Sequence, residues 1–266
     1  MPFFRAGPQL IYYAHVPKCG GSTVADYVST RFGGLAFSDS RFYMIDEKER
    51  WSKTSPQHIN LPALDRLFPE HFFDHSFAIV RHPVARVVSA FHFQMEVEHK
   101  IAPGTSFGAW LDTLTDLPPY SYDNHLRPMD EIVPPEAEIF YLEHGLDALI
   151  PWFDRVTGEK SGPRLLAHVN KRGDHGRVSS AKVQPTQAEI RLITELFHID
   201  FDRFGYDPGH PKPLAAPPVL SPEDIADRER ALADASRPGN RLMDNWRQTR
   251  RKIGNRLLRD AESRGK

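Results

Sequence analysis

Apolar positions along this chain fall into short continuous runs that alternate with segments of helical spacing. Leu10 to Val16 is apolar and aromatic with β-branched members, as in a strand buried on both faces, and Pro17 ends its pairing. From Thr23 to Phe32 the apolar residues Val24, Tyr27, Val28 and Phe32 recur on one helical face, and Gly33-Gly34 stop the helix. Phe77 to Val80 is a second buried run; Pro83 then opens a helix that the pattern carries toward Glu98. Ser106 is placed to cap a helix with Phe107, Trp110, Leu111 and Leu114 turned inward. A third strand is expected in Glu138 to Glu143, a helix over Leu146 to Val156, a short strand at Phe42 to Ile45, and one amphipathic helix from Thr186 to Phe204. Strands alternating with helices predict an α/β fold with a central, mainly parallel sheet flanked by helices in three layers.

The first strand runs directly into Pro17-Lys18-Cys19-Gly20-Gly21-Ser22-Thr23 and then into a helix. A helix start presents unpaired amides and a partial positive charge, glycines let the backbone wrap an anion, and Lys18 adds a full charge. Ser22 and Thr23 add hydroxyl donors. The order differs from Gly-x-x-x-x-Gly-Lys-Ser/Thr, in which lysine follows the last glycine, because Lys18 precedes Gly20 and Gly21. Read alone, the heptad also fits a plain strand-turn-helix corner with a surface lysine.

Pro-Lys-x-Gly-Gly-Ser-Thr resembles the 5′-phosphosulfate loop of sulfotransferases that use 3′-phosphoadenosine 5′-phosphosulfate (PAPS), in particular the heparan and chondroitin carbohydrate enzymes. Many of those have Thr where this chain has Cys19. The second buried strand delivers Arg81, and His82-Pro83 leads into a helix with Arg86 and Ser89. This resembles the family's 3′-phosphate motif, in which an arginine and a serine clamp that phosphate; His82 stands where Asp is usual. Without the resemblance, Arg81 and Arg86 read equally as surface ion-pair partners.

Further stretches extend the likeness. Gln57-His58-Ile59-Asn60-Leu61 looks like the element that supplies the catalytic base, although among 13 histidines a structural role for His58 is the plainer reading. Asn124-His125-Leu126-Arg127-Pro128-Met129 resembles an Asn-His-x-x-Pro-Gln element, with Met129 in place of Gln, so the resemblance puts His125 on the acceptor side and in reserve as the base. Glu96, near the end of its helix, is the acidic candidate for the same side. Glu143 also fits the family pattern, and equally a structural ion pair. Lys171 and Arg172 sit in a basic loop of the kind these enzymes fold over the nucleotide, and Asp200-Phe201-Asp202-Arg203-Phe204-Gly205-Tyr206 resembles the end of the family's domain. The resemblance covers about residues 10 to 207 and implies a P-loop-NTPase-like fold.

Composition then narrows the setting. The 266 residues, 40% of them hydrophobic, suffice for one α/β domain, here 1–207, followed by a proline-rich linker over 208–222 and a charged, helix-prone extension over 223–266. In that extension Leu242, Trp246, Ile253 and Leu257 form a thin apolar stripe beside Arg247, Arg250, Arg251, Lys252 and Arg256. Such a basic helix packs on itself, stays solvated, or touches a partner or the face of a membrane. A formal net charge of −1 gives no general attraction to nucleic acid, so any anion site is local. The single cysteine, Cys19, excludes an intrachain disulfide and a multi-cysteine metal site, and points to a reducing cytoplasmic setting. Beside a helix start its thiol pKa is open to lowering. The first residues lack the apolar core of a signal peptide and no run is long enough to span a bilayer, which points to a soluble, bacterial-type relative of the membrane-anchored Golgi enzymes.

The resemblance implies in-line transfer of a sulfuryl group from PAPS to an acceptor hydroxyl on a carbohydrate or glycolipid, without a required metal. Amides from Cys19 to Thr23 hold the 5′-phosphate, Lys18 neutralises charge on the bridging oxygen, Arg81 and Ser89 hold the 3′-phosphate, and His58 takes the acceptor's proton. A nucleotide kinase or NTPase, or a noncatalytic nucleotide-binding scaffold, is the alternative. No convincing acidic magnesium site supports the kinase.

Overall fold

A computed structural model describes residues 2–39, 41–166 and 182–237. Lys171, Arg172 and the stripe from Leu242 to Leu257 lie outside these described residues. The chain divides into two compact units, 1–162 with 166–218, and 163–165 with 219–266. In the second unit a helix spans Pro222–Ala235, capped by Ser221, whose hydroxyl accepts from Asp224 N, and Arg164 lies near Asp224 and Asp227.

Among the described residues the first unit is built on four strands, β1 (Phe3–Ala6), β2 (Gln9–Ala14), β3 (His75–Val80) and β4 (Glu138–Tyr141), lying side by side in chain order. β2, β3 and β4 are parallel; β1 pairs antiparallel with β2 across a turn at Gly7-Pro8. That edge hairpin is a departure from the expected strand set. Its residues Phe3 to Ala6 are too few for a periodic signal to stand out, and the pairing with β2 defines the strand.

Helix α1 (Gly21–Phe32) follows β2, α2 (Leu61–Leu67) precedes β3, and α3 (Pro83–Glu96) follows β3. α4 (Phe107–Leu111) and α5 (Leu149–Thr157) flank β4 in sequence, and α6 (Gln187–Leu196) and α7 (His198–Phe204) complete the unit. One sheet face carries Phe4, Tyr13 and Phe77; Tyr13 stacks on Phe77, and Phe4 and Phe77 meet Phe32 of α1 and Trp152 and Phe153 of α5 through ring contacts. Arg31 ties the same two helices by a 2.6 Å ion pair with Asp154. On the other face Phe3 and Tyr12 pack with Phe68 and Phe73. Burying each such ring contributes about 1.5–3 kcal/mol, which holds the sheet between its helices.

Two expected elements differ. Phe42 to Ile45 is no strand: Phe42–Met44 forms a 3-10 turn, with Phe42 buried and Tyr43 and Met44 exposed, and among the described residues it has no strand partner. The single helix from Thr186 breaks at Phe197, whose backbone (φ −121°, ψ 25°) leaves the helical region. Phe197 is buried, with the Arg86 guanidinium 5.5 Å above its ring, and this tertiary anchor overrides the continuous helical pattern.

Arg86 is 1% exposed and is therefore neither a surface ion-pair partner nor a free phosphate ligand. Its Nη1 donates to His125 O at 3.1 Å, its Nη2 to Arg127 O at 2.6 Å, and Asp200 lies 3.8 Å away. Asp200 in turn accepts from the amides of Met129 and Asp130. Breaking a buried pair from one side strands the other charge, so Arg86→Met is expected to cost about 3–5 kcal/mol. Urea unfolding checks this; a midpoint close to that of the parent overturns it.

Candidate active site

β2 ends at Ala14, and the chain passes through His15 and Val16 into the loop that begins α1. Two glycines there are required for separate reasons. Gly20 sits at φ 85° as the residue before α1, a conformation that glycine adopts without penalty. Gly21 has no room for a side chain, because a Cβ would stand 1.7 Å from His15 Nε2. The His15 ring is stacked on Tyr13, 5.2 Å between centroids, and is kept from swinging aside.

Thr23 N and Val24 N both turn back to Gly20 O. Among the described residues no chain acceptor takes the amides of Cys19, Gly20, Gly21 or Ser22, so they form an open cradle at the start of α1. The Ser22 side chain is exposed and Thr23 is buried. Pro17 is buried beneath the turn, its carbonyl 3.6 Å from Cys19 Sγ. Burial pushes the Cys19 thiol up to about 12, against the lowering that its place near a helix start suggests, so Cys19 offers the cradle only its amide.

Lys18 occupies the left-handed region at φ 68°, an uncommon conformation for a residue with a side chain. Its Nζ rests 3.5 Å from the centre of the Phe93 ring on α3. Burial, and then the nearby Arg81 guanidinium, lower the Lys18 ammonium to about 8. Arg81, half-buried just beyond β3, donates from Nη1 to Lys18 O at 3.2 Å. The turn that carries Arg81 is fixed from behind: Glu143 accepts from His82 N at 2.8 Å and from the Tyr206 hydroxyl, and His82 Nε2 lies 3.1 Å from Asp207 O. Glu143 is thus a brace. Two neighbouring cations beside free amides make a site that an anion relieves. Ser89 is half-buried on α3.

His58 closes a short 3-10 turn, Pro56–His58, and is buried. Its Nδ1 lies 2.7 Å from Asp123 Oδ2. Asp123 also accepts from Ser55 N at 2.7 Å, from Ser55 Oγ at 2.6 Å, and from the Tyr43 hydroxyl. Burial alone pushes this carboxyl up, but hydrogen bonds from His58, Ser55 and Tyr43, with the His58 charge, outweigh it and hold Asp123 well below the usual carboxylate range.

The His58 ring is 5.0 Å from that of His15 and 5.1 Å from that of His125. Phe93 lies 5.2 Å from His125, so ring contacts run from Lys18 through Phe93 and His125 to His58. His125 Nδ1 is 3.0 Å from Gln94 Nε2. Burial first, and then His58, hold both His15 and His125 well below the ordinary imidazole range and keep them neutral. Glu96 lies 3.5 Å from His92 Nδ1, at the end of α3.

Lys18, Arg81, His58 and His125 therefore belong to one contiguous site. Several of its members carried no distinct signal in the sequence: His15 and Phe93 read as strand and helix residues, and Tyr43 stood in a segment without clear periodicity. The Asp123 carboxylate was visible only as one letter of a polar loop immediately before Asn124-His125. His58, Asp123 and His125 also bring ligand atoms within 4.8 Å of one another, a donor set of the type that holds a divalent ion.

No curated protein and no solved structure matches the chain. Among the described residues no helix is long and apolar enough to cross a membrane. The sequence model of the Sulfotransferase family matches residues 1–207, the span that holds the cradle, both cations and the His58–Asp123 pair, and the chain therefore belongs to the sulfotransferase family.

Proposed function

We propose that the chain transfers a sulfuryl group from PAPS to an acceptor hydroxyl on a carbohydrate or glycolipid, with residues 1–207 as the transferring domain, 208–222 as a linker and 223–266 as an extension. The reading takes the β2–loop–α1 unit as P-loop-NTPase-like. One observation carries it: an anion cradle with two cations lies within a few ring contacts of a buried imidazole hydrogen-bonded to a carboxylate.

The donor set suits a sulfated nucleotide. The amides of Cys19 to Ser22, with the Ser22 hydroxyl, meet the 5′-phosphate; Thr23 completes the turn. Arg81 and Ser89 take the 3′-phosphate, and a guanidinium fork matches phosphate oxygens. As the acceptor oxygen bonds to sulfur, the bond from sulfur to the bridging phosphate oxygen breaks and adenosine 3′,5′-bisphosphate leaves with the electron pair. Lys18 meets the charge that grows on that oxygen, and a preorganised cation is worth most there. His58 takes the acceptor's proton, and His125 lines the acceptor side. Lys171 and Arg172 are proposed to add to the nucleotide site.

Calorimetry with adenosine 3′,5′-bisphosphate, ADP and ATP tests the donor. Arg81→Ala is expected to weaken the bisphosphate by about tenfold to a hundredfold while changing ADP and ATP little, since a charge-assisted hydrogen bond contributes about 1.5–3 kcal/mol. An equal loss for all three nucleotides makes Arg81 a brace for the Lys18 carbonyl instead. A preference of the parent protein for ATP overturns the donor assignment. Incubation with PAPS and candidate glycans, followed by mass detection of the sulfated product, tests the acceptor class.

A further inference from the structure

We propose that Asp123 is a positioning residue that sets the tautomer of His58, an inference that rests on the reading of His58 as the base. An ionised carboxylate only accepts hydrogen bonds. With Asp123 Oδ2 at 2.7 Å, His58 Nδ1 carries the proton and donates it, and the lone pair of the neutral ring resides on Nε2. Nε2 is then the atom that removes the acceptor's proton, and the imidazolium formed is balanced by the carboxylate already in contact with it.

The chain strains itself to make this contact. Tyr122 (φ 51°, ψ 34°), Asp123 (φ 55°, ψ 44°) and Asn124 (φ 59°) are successive left-handed residues, and Tyr120 is a fourth nearby at φ 69°. For a tyrosine that conformation costs roughly 1–2 kcal/mol, whereas Asp and Asn adopt it more readily. Surrounding bonds over-determine the loop. Asn124 Nδ2 donates to His58 O at 2.8 Å, Arg127 Nε donates to Asn124 Oδ1 at 3.0 Å, and Arg86 grips the carbonyls of His125 and Arg127. Ser55 contributes both its amide and its hydroxyl to the Asp123 carboxylate. All of these contacts bring residue 123 and the His58 turn together across 65 positions of sequence. Strain held in this way accumulates where a group must be placed accurately.

Asp123→Asn tests the inference because the amide keeps the shape and offers an N–H to Nδ1. The turnover number is expected to fall by up to about 10⁴-fold, as when an imidazole base is forced into the wrong tautomer, while binding of adenosine 3′,5′-bisphosphate stays near that of the parent protein. Long-range proton–nitrogen correlation NMR of side-chain-labelled histidine supplies the readout that loss of structure alone does not mimic. The His58 proton is expected on Nδ1 in the parent and on Nε2 in Asp123→Asn. A parent protein with the proton on Nε2 overturns the proposal without recourse to a variant, as does Asp123→Asn with parental turnover. Assay of His58→Ala alongside separates the two readings. If His58→Ala turns over normally, the base assignment is lost and this proposal with it; if His58→Ala is inactive and Asp123→Asn is not, only the positioning role is lost.

Discussion

Replacing His58 with alanine is expected to lower the turnover number by about 10²–10⁴-fold, the usual contribution of a positioned general base. Donor binding should be nearly unchanged. His58 meets the loop side of the site through its ring contact with His15, and it makes no described hydrogen bond to the cradle residues Lys18 to Ser22. Its own hydrogen-bonding partners are Ser55, Asp123 and Asn124, none of them a cradle residue. Removal therefore leaves a donor site with no proton acceptor beside it. Single-turnover assays with preloaded PAPS, beside calorimetry with adenosine 3′,5′-bisphosphate, separate these effects. Parental turnover in His58→Ala overturns the assignment and leaves His125, 5.1 Å away between ring centres, as the next group to examine.

Lys18→Ala is expected to reduce turnover by about 10²–10³-fold, the loss seen when a preorganised donor to a developing oxyanion is removed. The pH dependence of the parent protein carries the same assignment. With its ammonium lowered to about 8 by burial and by Arg81, free protein loses the Lys18 charge as pH rises through that value, and donor affinity should decline above it. A bound polyanion favours the charged form, so binding adenosine 3′,5′-bisphosphate near pH 8 should take up a proton. Calorimetry in buffers of different ionisation enthalpy measures the uptake, and Lys18→Arg, which keeps its proton, should abolish it.

For folding the sign is separate. Unfolded lysine titrates near 10.5, so between about pH 8 and 10.5 the unfolded chain binds the extra proton and this group makes stability rise with pH. The buried ammonium is a cost at neutral pH, tolerated because the Phe93 ring lies beneath it. A pH-independent bisphosphate affinity from 7 to 9, with no proton uptake, overturns the placement of Lys18 against the donor.

The local geometry of the candidate site was legible in the chain itself. A strand running into Pro17-Lys18-Cys19-Gly20-Gly21-Ser22-Thr23 and a helix is a short-range pattern, since turn, glycines and helix start are neighbours in sequence, and the cradle formed where that pattern put it. Likewise Phe77 to Val80 became β3 with Arg81 at its end, because a run of apolar residues determines burial whatever it packs against. Tertiary structure decided everything that depends on partners distant in sequence. Arg86, read as a phosphate-motif or surface residue, was drawn inside by carbonyls of residues 125 and 127 and by Asp200. The expected helix from Thr186 to Phe204 broke at Phe197, which is buried beside that guanidinium. His58 acquired a carboxylate from 65 residues away, presented by a run of left-handed backbone at Tyr122, Asp123 and Asn124. Hydrophobic periodicity records only which side of an element is buried; which polar groups meet inside is settled when the elements pack, because an unpaired buried charge costs more than the strain needed to supply its partner.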